Sequence, residues 1–279
     1  MKVMIFAAGM GTRLKPLTDT LPKALVPVGG KPLLYHVIEN LKAAGFSDFV
    51  INVHHFAQQI KDYVRENGFF GVNISFSDET DMLRETGGGI RHAAALLNDG
   101  DPFLIHNVDI LSNLDIASFY AEHCSTPGKG MADAAEPPLA TLLVSDRKTE
   151  RYLLFDADDN LVAWINLKTG EVKSPFEELR REPVKDAEAG PDGTTASFDH
   201  EAFLKEYGLR KFAFAGIHVL SPEVFRLMGD KPEKFSIITF YLSYCHKYKI
   251  KAHVAENLKL VDVGKLDSLQ LAEQMVGQL

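Results

Sequence analysis

Arg13, Lys15 and Lys23 concentrate three cations between positions 13 and 23, directly behind an apolar run, Val3-Met4-Ile5-Phe6-Ala7-Ala8, that breaks into Gly9-Met10-Gly11-Thr12-Arg13-Leu14. Glycines let a backbone take positive φ and bring its N–H groups close to an anionic oxygen. An arginine fork matches phosphate geometry, and a lysine acts as a mobile point charge. The chemistry this stretch suits is the holding of phosphates. It is neither of two common phosphate motifs: a dinucleotide fingerprint needs a third glycine where Leu14 stands, and a P-loop closes on Gly-Lys-Ser/Thr.

Other candidates lie further along. Asp109 follows Phe103-Leu104-Ile105, at the expected carboxyl end of a strand, where a carboxylate can coordinate a hard divalent cation. Glu85-Thr86-Gly87-Gly88-Gly89 precedes a helical pattern of Ile90, Ala93, Ala94 and Leu97, and a helix amino terminus there favours a phosphate. His54, His55 and His106 invite a zinc reading, but no HxH or HExxH spacing supports it.

These residues need a scaffold. Met1 to Phe6 reads as a strand buried on both faces of a parallel sheet, whose carboxyl end opens into a ligand crevice. Leu34, Val37, Ile38, Leu41 and Ala44 predict a helix stopped by Gly45. Phe49 to Val53, Val72 to Phe76 and Phe103 to Ile105 read as further strands, with a helix over Ala57 to Val64. This alternation predicts an α/β fold with a doubly wound, mostly parallel sheet. Leu139 to Val144, Tyr152 to Phe155 and Leu161 to Ile165 read as a β-meander. The polar stretch Lys168 to His200 reads as an inserted loop region outside the core. Strands over Lys211 to Val219, Ile250 to Val254 and Leu258 to Val263 follow, with a last helix over Leu266 to Val276. The expected organisation is one domain, 1–279, with one half over 1–125, a second half over 139–279, and the insertion at about 168–200.

With 46% hydrophobic residues in 279, the chain can bury a large core. A net charge of −8 argues against nucleic acid or an anionic membrane as the main partner. Cys124 and Cys245 have no CxxC spacing and suit a reducing, cytoplasmic setting. No run reaches the roughly 18 apolar residues of a membrane helix, and the amino terminus lacks the features of a signal peptide.

The pattern Ala7-Ala8-Gly9-Met10-Gly11-Thr12-Arg13-Leu14, Pro16-Leu17-Thr18 and Pro22-Lys23-Ala24-Leu25-Val26-Pro27-Val28 resembles the signature of the sugar-1-phosphate nucleotidyltransferases. The resemblance continues with Gly30-Lys31-Pro32-Leu33-Leu34, Glu85-Thr86-Gly87-Gly88-Gly89, Asp109, Phe214-Ala215-Gly216-Ile217 and Val261-Asp262-Val263-Gly264. It implies a Rossmann-like fold, with 1–125 as the nucleotide-binding half and 139–279 as the sugar-binding half, and transfer of a nucleotidyl group from an NTP to a sugar 1-phosphate, with release of pyrophosphate. Carried over residue by residue, it implies catalytic roles for Arg13 and Lys23. It implies nucleotide binding by Ala7, Ala8, Gly9, Gly11, Thr12, Glu85, Thr86, Gly87 and Gly88, a place near the sugar for Gly216, and Mg2+ held by Asp109 and Asp262. Two such carboxylates repel each other when no cation lies between them.

The chain departs from the family at Val108, where glycine is usual, and at Leu260, where an aromatic residue is common. It also carries no Glu-Lys-Pro tripeptide to supply the sugar-phosphate lysine. Its compact length resembles uridylyltransferases acting on N-acetylmuramate 1-phosphate and short guanylyltransferase-like proteins acting on mannose or heptose phosphates. A choline-phosphate cytidylyltransferase of the same fold and a non-catalytic nucleotide-binding subunit stand as alternatives.

Overall fold

A computed structural model describes residues 1–125, 137–183 and 198–277. The chain divides into two compact units, one made of Met1–Pro137, Gly216–Ile237 and Glu256–Leu279, the other of Pro138–Ala215 and Ile238–Ala255.

The first unit is built on a parallel sheet. Lys2–Phe6 pairs in parallel with Asp48–Val53 on one side and Phe103–Asn107 on the other, and Asn73–Asp78 extends the sheet beyond Asp48–Val53. Ile217 to Leu220 add an antiparallel strand against Phe103–Asn107. Val3, Met4 and Ile5 are wholly buried, as a strand paired on both edges and covered on both faces requires. The helices Leu33–Ala43 and Ala57–Glu66 fall where their apolar spacing places them. A separate cluster gathers Leu14, Val26, Val28, Leu33, Leu111 and Val263 with Ala272 and Met275 of the last helix, Leu266–Val276.

The second unit differs from the sequence expectation in two respects. The meander consists of Arg151–Phe155, Leu161–Asn166 and Val172–Lys173, each antiparallel to the next. Ala140–Ser145 is not part of it and pairs in parallel with Ile250–Val254. The burial pattern explains the choice: residues 140 to 144 are buried without a break, which suits a parallel strand covered on both faces, whereas Leu161–Asn166 alternates. The stretch from Lys168 was expected to lie outside the core. Its described part instead sends Val172 and Leu179 into a buried cluster with Tyr152, Leu154, Ile165, Phe203 and Leu204, because its few apolar residues land on one face of the hairpin and the turn after it. Residues 184–197 of that stretch lie outside the described residues.

Three histidines in the first unit are buried. Desolvation holds His106 and His123 at about 4 and His218 at about 3, so all three are neutral at pH 7. On acidification the unfolded chain takes up these protons near pH 6.5, and the folded chain does not until about pH 4 or below. The unfolded state binds more protons in that window, so their stabilising effect is complete above pH 6.5 and is lost as pH falls. Each group costs up to about 1.4 kcal/mol per pH unit. Urea unfolding should therefore give a stability that falls steeply between pH 7 and pH 5. A flat profile over that range would contradict the neutral burial of these imidazoles.

Candidate active site

Where the central strand ends, the chain must leave the sheet, and its next two amides need acceptors. Both find the same one: the Ala7 and Ala8 N–H groups donate to Asn52 Oδ1 at 2.7 and 3.2 Å. Beyond them Gly11 has φ +64°, and a Cβ there would stand 2.8 Å from Thr18 Cγ2 and 3.1 Å from Lys23 Cβ. Thr18 Oγ1 donates to the Gly11 carbonyl at 2.8 Å, closing the loop onto the segment that carries Lys23. Leu14, at the position a third glycine would occupy, is wholly buried and anchors the short helical turn Thr12–Leu14 in the core. Thr12 and Arg13 remain exposed.

Of the three loop cations, Lys15 pairs with Asp19 at 2.9 Å on the open surface, where an ion pair contributes little. Lys23 is different. Its ammonium pairs with Asp109 Oδ2, and both side chains are largely buried, 11% and 20% exposed. Lys23 thus supplies the counter-charge that Asp109 was expected to lack without a metal ion.

Asp262 reaches the same region through backbone pairing. Leu260–Asp262 runs antiparallel to Ile110–Ser112 with Asp262 opposite Ile110, and the Val263 N–H donates to the Asp109 carbonyl at 2.8 Å. A Cβ at Gly264 would lie 2.8 Å from both Arg13 Nη2 and Asp262 Oδ1, so the glycine admits a guanidinium and a carboxylate over one stretch of backbone. The structure therefore brings Lys23 to Asp109, Arg13 to Asp262, and the two aspartate segments to each other.

A cleft of about 210 Å3 opens beside these groups, lined by Phe6, Ala8, Gly9, Lys23, Asn52, Leu83, Glu85, Thr86, Asn107, Val108 and Asp109. At Gly9 a Cβ would meet no protein atom within 4 Å. Val108 is buried at the cleft wall, and its N–H donates to the Phe6 carbonyl at 3.1 Å. Among the described residues no helix is long and apolar enough to cross a membrane, and no three His, Cys, Asp or Glu side chains cluster to hold a metal ion. Two of the three histidines considered for zinc are used elsewhere: His54 Nδ1 donates to the Glu79 carbonyl at 2.6 Å, and His106 Nδ1 to the Asn107 carbonyl at 2.8 Å.

Three of the expected site segments have further contacts within the chain. Ala7 and Ala8 have no free amide to offer, since both are spent on Asn52. The glycines after Thr86 lie inside the helix Glu85–His92 and not in a loop before it. The Gly87 and Gly88 amides donate to the Phe235 carbonyl at 2.9 and 3.1 Å, so this helix start does not present them to a phosphate. Side chains there would strike Phe235 at 2.3 Å and the Glu233 carbonyl at 2.2 Å, so the glycines exist for close packing against the chain's own residues. Thr86 Oγ1 likewise accepts from the Ile237 N–H at 2.9 Å, while the residue still lines the cleft with Glu85. Gly216 has φ +78° and admits the Asn107 amide, 2.6 Å from where its Cβ would be. Its requirement for glycine is thus met by backbone conformation and by a cleft residue.

Sequence reasoning passed over Asn52, Glu79 and Asn107. The available signal was a buried-strand pattern interrupted by one amide, Phe49-Val50-Ile51-Asn52-Val53, since a polar side chain in such a run must have a buried partner.

Comparison with known proteins gives the family of the chain. A family model described as nucleotidyl transferase matches residues 2–278. The chain is 45% identical over 127 residues to an N-acetylmuramate alpha-1-phosphate uridylyltransferase of Neisseria meningitidis serogroup B, a match covering 46% of this chain and 54% of that protein. It is 38% identical over 161 residues to a mannose-1-phosphate guanyltransferase of Kluyveromyces lactis, covering 55% of this chain and 44% of that one. The matches thus span about half the length of these relatives. In fold it is similar to a putative glucose-1-phosphate thymidylyltransferase from Bacillus anthracis, with TM-score 0.71, 18% identity, and coverage of 100% of this chain and 96% of that one. On the match across nearly its whole length, the chain belongs to the nucleotidyl transferase family.

Proposed function

We propose that this protein transfers a nucleotidyl group from an NTP to a sugar 1-phosphate, releasing pyrophosphate, and that it is a uridylyl- or guanylyltransferase. The observation that carries the reading is the buried Lys23–Asp109 pair at the wall of the cleft behind the glycine loop. The relatives named above support it, being a uridylyltransferase and a guanyltransferase that act on sugar 1-phosphates.

The nucleophile in such a reaction is already an anion, so the protein's work is alignment and neutralisation of crowded charge. Arg13, exposed and next to Asp262, is suited to the pyrophosphate leaving group with its planar fork. Lys23 faces the cleft and is suited to the reacting phosphate. Gly9, Glu85 and Thr86 line the space assigned to the nucleoside. Asp109 and Asp262 would hold Mg2+: two hard carboxylates, with phosphate oxygens and water completing the shell, suit that ion. When bound it would neutralise negative charge on the phosphates. Gly11 and Thr12 shape the loop, and Gly216 acts through its packing on Asn107. The free Cys124 and Cys245 support a reducing, cytoplasmic location.

Pyrophosphate release measured with UTP and GTP against N-acetylmuramate 1-phosphate and mannose 1-phosphate tests the reading, and turnover with one pair is expected. Arg13→Ala should lower kcat/KM by about 30- to 1000-fold, a loss of roughly 2–4 kcal/mol of transition-state stabilisation, with little change in melting temperature because the side chain is exposed. Wild-type turnover in that variant would contradict the assignment of Arg13. Asp109→Asn should abolish Mg2+-dependent turnover without stabilising the apo protein, since it removes the partner of Lys23. A raised melting temperature would show that aspartate repulsion outweighs that pair.

A further inference from the structure

Asn52 and Glu79 form a buried polar chain that the proposed chemistry does not use. Asn52 is 1% exposed and Glu79 is 0% exposed. Asn52 Oδ1 accepts the Ala7 and Ala8 amides at 2.7 and 3.2 Å, and its Nδ2 donates to Glu79 Oε1 at 2.9 Å. Glu79 Oε2 accepts the Arg84 N–H at 3.0 Å. The ends of this chain are the two segments on either side of the cleft, Ala8 and Gly9 at one end and Glu85 and Thr86, next to Arg84, at the other.

Glu79 is itself fixed from several sides. Its N–H donates to the Val53 carbonyl at 2.8 Å, and its carbonyl accepts from His54 Nδ1 at 2.6 Å. At Gly89 a Cβ would lie 2.9 Å from Glu79 Oε1 and 3.1 Å from Phe6 Cε1, so the glycine lets the helix Glu85–His92 close onto the carboxylate. A carboxylate this deeply buried is costly unless hydrogen-bonded, and its bonds here run to the backbone and side chain that shape the cleft.

We propose that Asn52 and Glu79 are positioning residues for the nucleotide: their bond chain is a tie of fixed length that holds the glycine-loop wall and the Arg84–Thr86 wall at the separation a nucleoside needs. This role rests on the functional reading above. Neither side chain is required to touch the reacting atoms. The tie acts by preorganisation, sparing the nucleotide the work of ordering both walls on binding.

The polarity of the Asn52–Glu79 bond makes a reversal experiment possible. In N52D the introduced carboxylate still accepts the Ala7 and Ala8 amides, but its other oxygen faces Glu79 Oε1, acceptor against acceptor. In E79Q one carboxylate oxygen becomes an NH2 group, which must face either Asn52 Nδ2 or the Arg84 N–H, donor against donor. In N52D/E79Q the introduced amide donates to the introduced carboxylate while its oxygen accepts the Arg84 N–H, so the chain is complete again with the bond reversed and the charge unchanged.

Calorimetric titration of the full chain with GTP and with UTP, each with Mg2+ and without sugar phosphate, reads the effect directly, alongside thermal unfolding. Each single variant should bind the preferred nucleotide at least roughly tenfold more weakly than wild type, and the double variant should return to within about threefold. If N52D does not fold, E79Q and the double variant carry the same comparison. Single variants that bind as tightly as wild type would overturn the tie, as would a double variant that regains its melting temperature but not its affinity. A wild-type chain that binds neither nucleotide would contradict the functional reading, and the tie with it. Wild-type binding unchanged by the substitutions contradicts the tie alone.

Discussion

The constraint on which the site depends is the end of the central strand. Lys2–Phe6 is paired in parallel on both edges, so its backbone is satisfied as far as Phe6 and no further. The next two amides are buried and must find an acceptor or destabilise the turn by a few kcal/mol, roughly 1–3 each. Asn52, one strand away and level with Phe6, meets both. That solution fixes the direction in which the glycine loop departs, and with it the places of Gly9, Thr12 and Arg13. A polar side chain in the sheet is thus the means by which the glycine loop is aimed.

Electrostatics follows the same economy. The chain carries a net charge of −8, yet the glycine loop and the segment after it carry the three cations Arg13, Lys15 and Lys23. One of these three charges is held in reserve: Lys23 is paired with Asp109 and both are mostly shielded from water. A buried pair of this kind contributes little net stability against its desolvation cost, and breaking it by removing one partner is expensive. Its value lies in keeping two oppositely charged groups poised together at the cleft. Arg13 Nη2 and Asp262 Oδ1 both approach the backbone at Gly264, so a second cation and carboxylate stand close together there.

Much of this was legible in the chain. The elements of the parallel sheet declared themselves through short apolar runs separated by helical spacing, and the cations lay within a pattern long enough to carry a family resemblance. What escaped reading depends on contacts between distant residues. The glycines at 87 and 88 suggest a ligand loop from sequence, but their neighbours in space are Phe235 and the Glu233 carbonyl, well over a hundred residues away. The strand Ala140–Ser145 resembles its meander neighbours until its parallel partner at Ile250–Val254 is known. Val172 and Leu179 look too sparse to build a core, yet a hairpin sets them against the helix His200–Glu206. Asn52 and Glu79 belong to the same class, since the amide in the apolar run shows that Asn52 needs a buried partner but not that the partner is Glu79.

The central claim is that the cleft between the glycine loop and the Arg84–Thr86 segment is the nucleotide site. Backbone hydrogen exchange followed by mass spectrometry, with and without Mg2+ and GTP or UTP, addresses it without reference to turnover. Slowed exchange should concentrate in peptides containing Gly9 to Leu14, Lys23, Leu83 to Thr86 and Val108 to Asp109, with the second unit's strands Arg151–Phe155 and Leu161–Asn166 unchanged in the absence of sugar phosphate. Protection that spares the glycine loop and falls elsewhere in the chain would contradict the account.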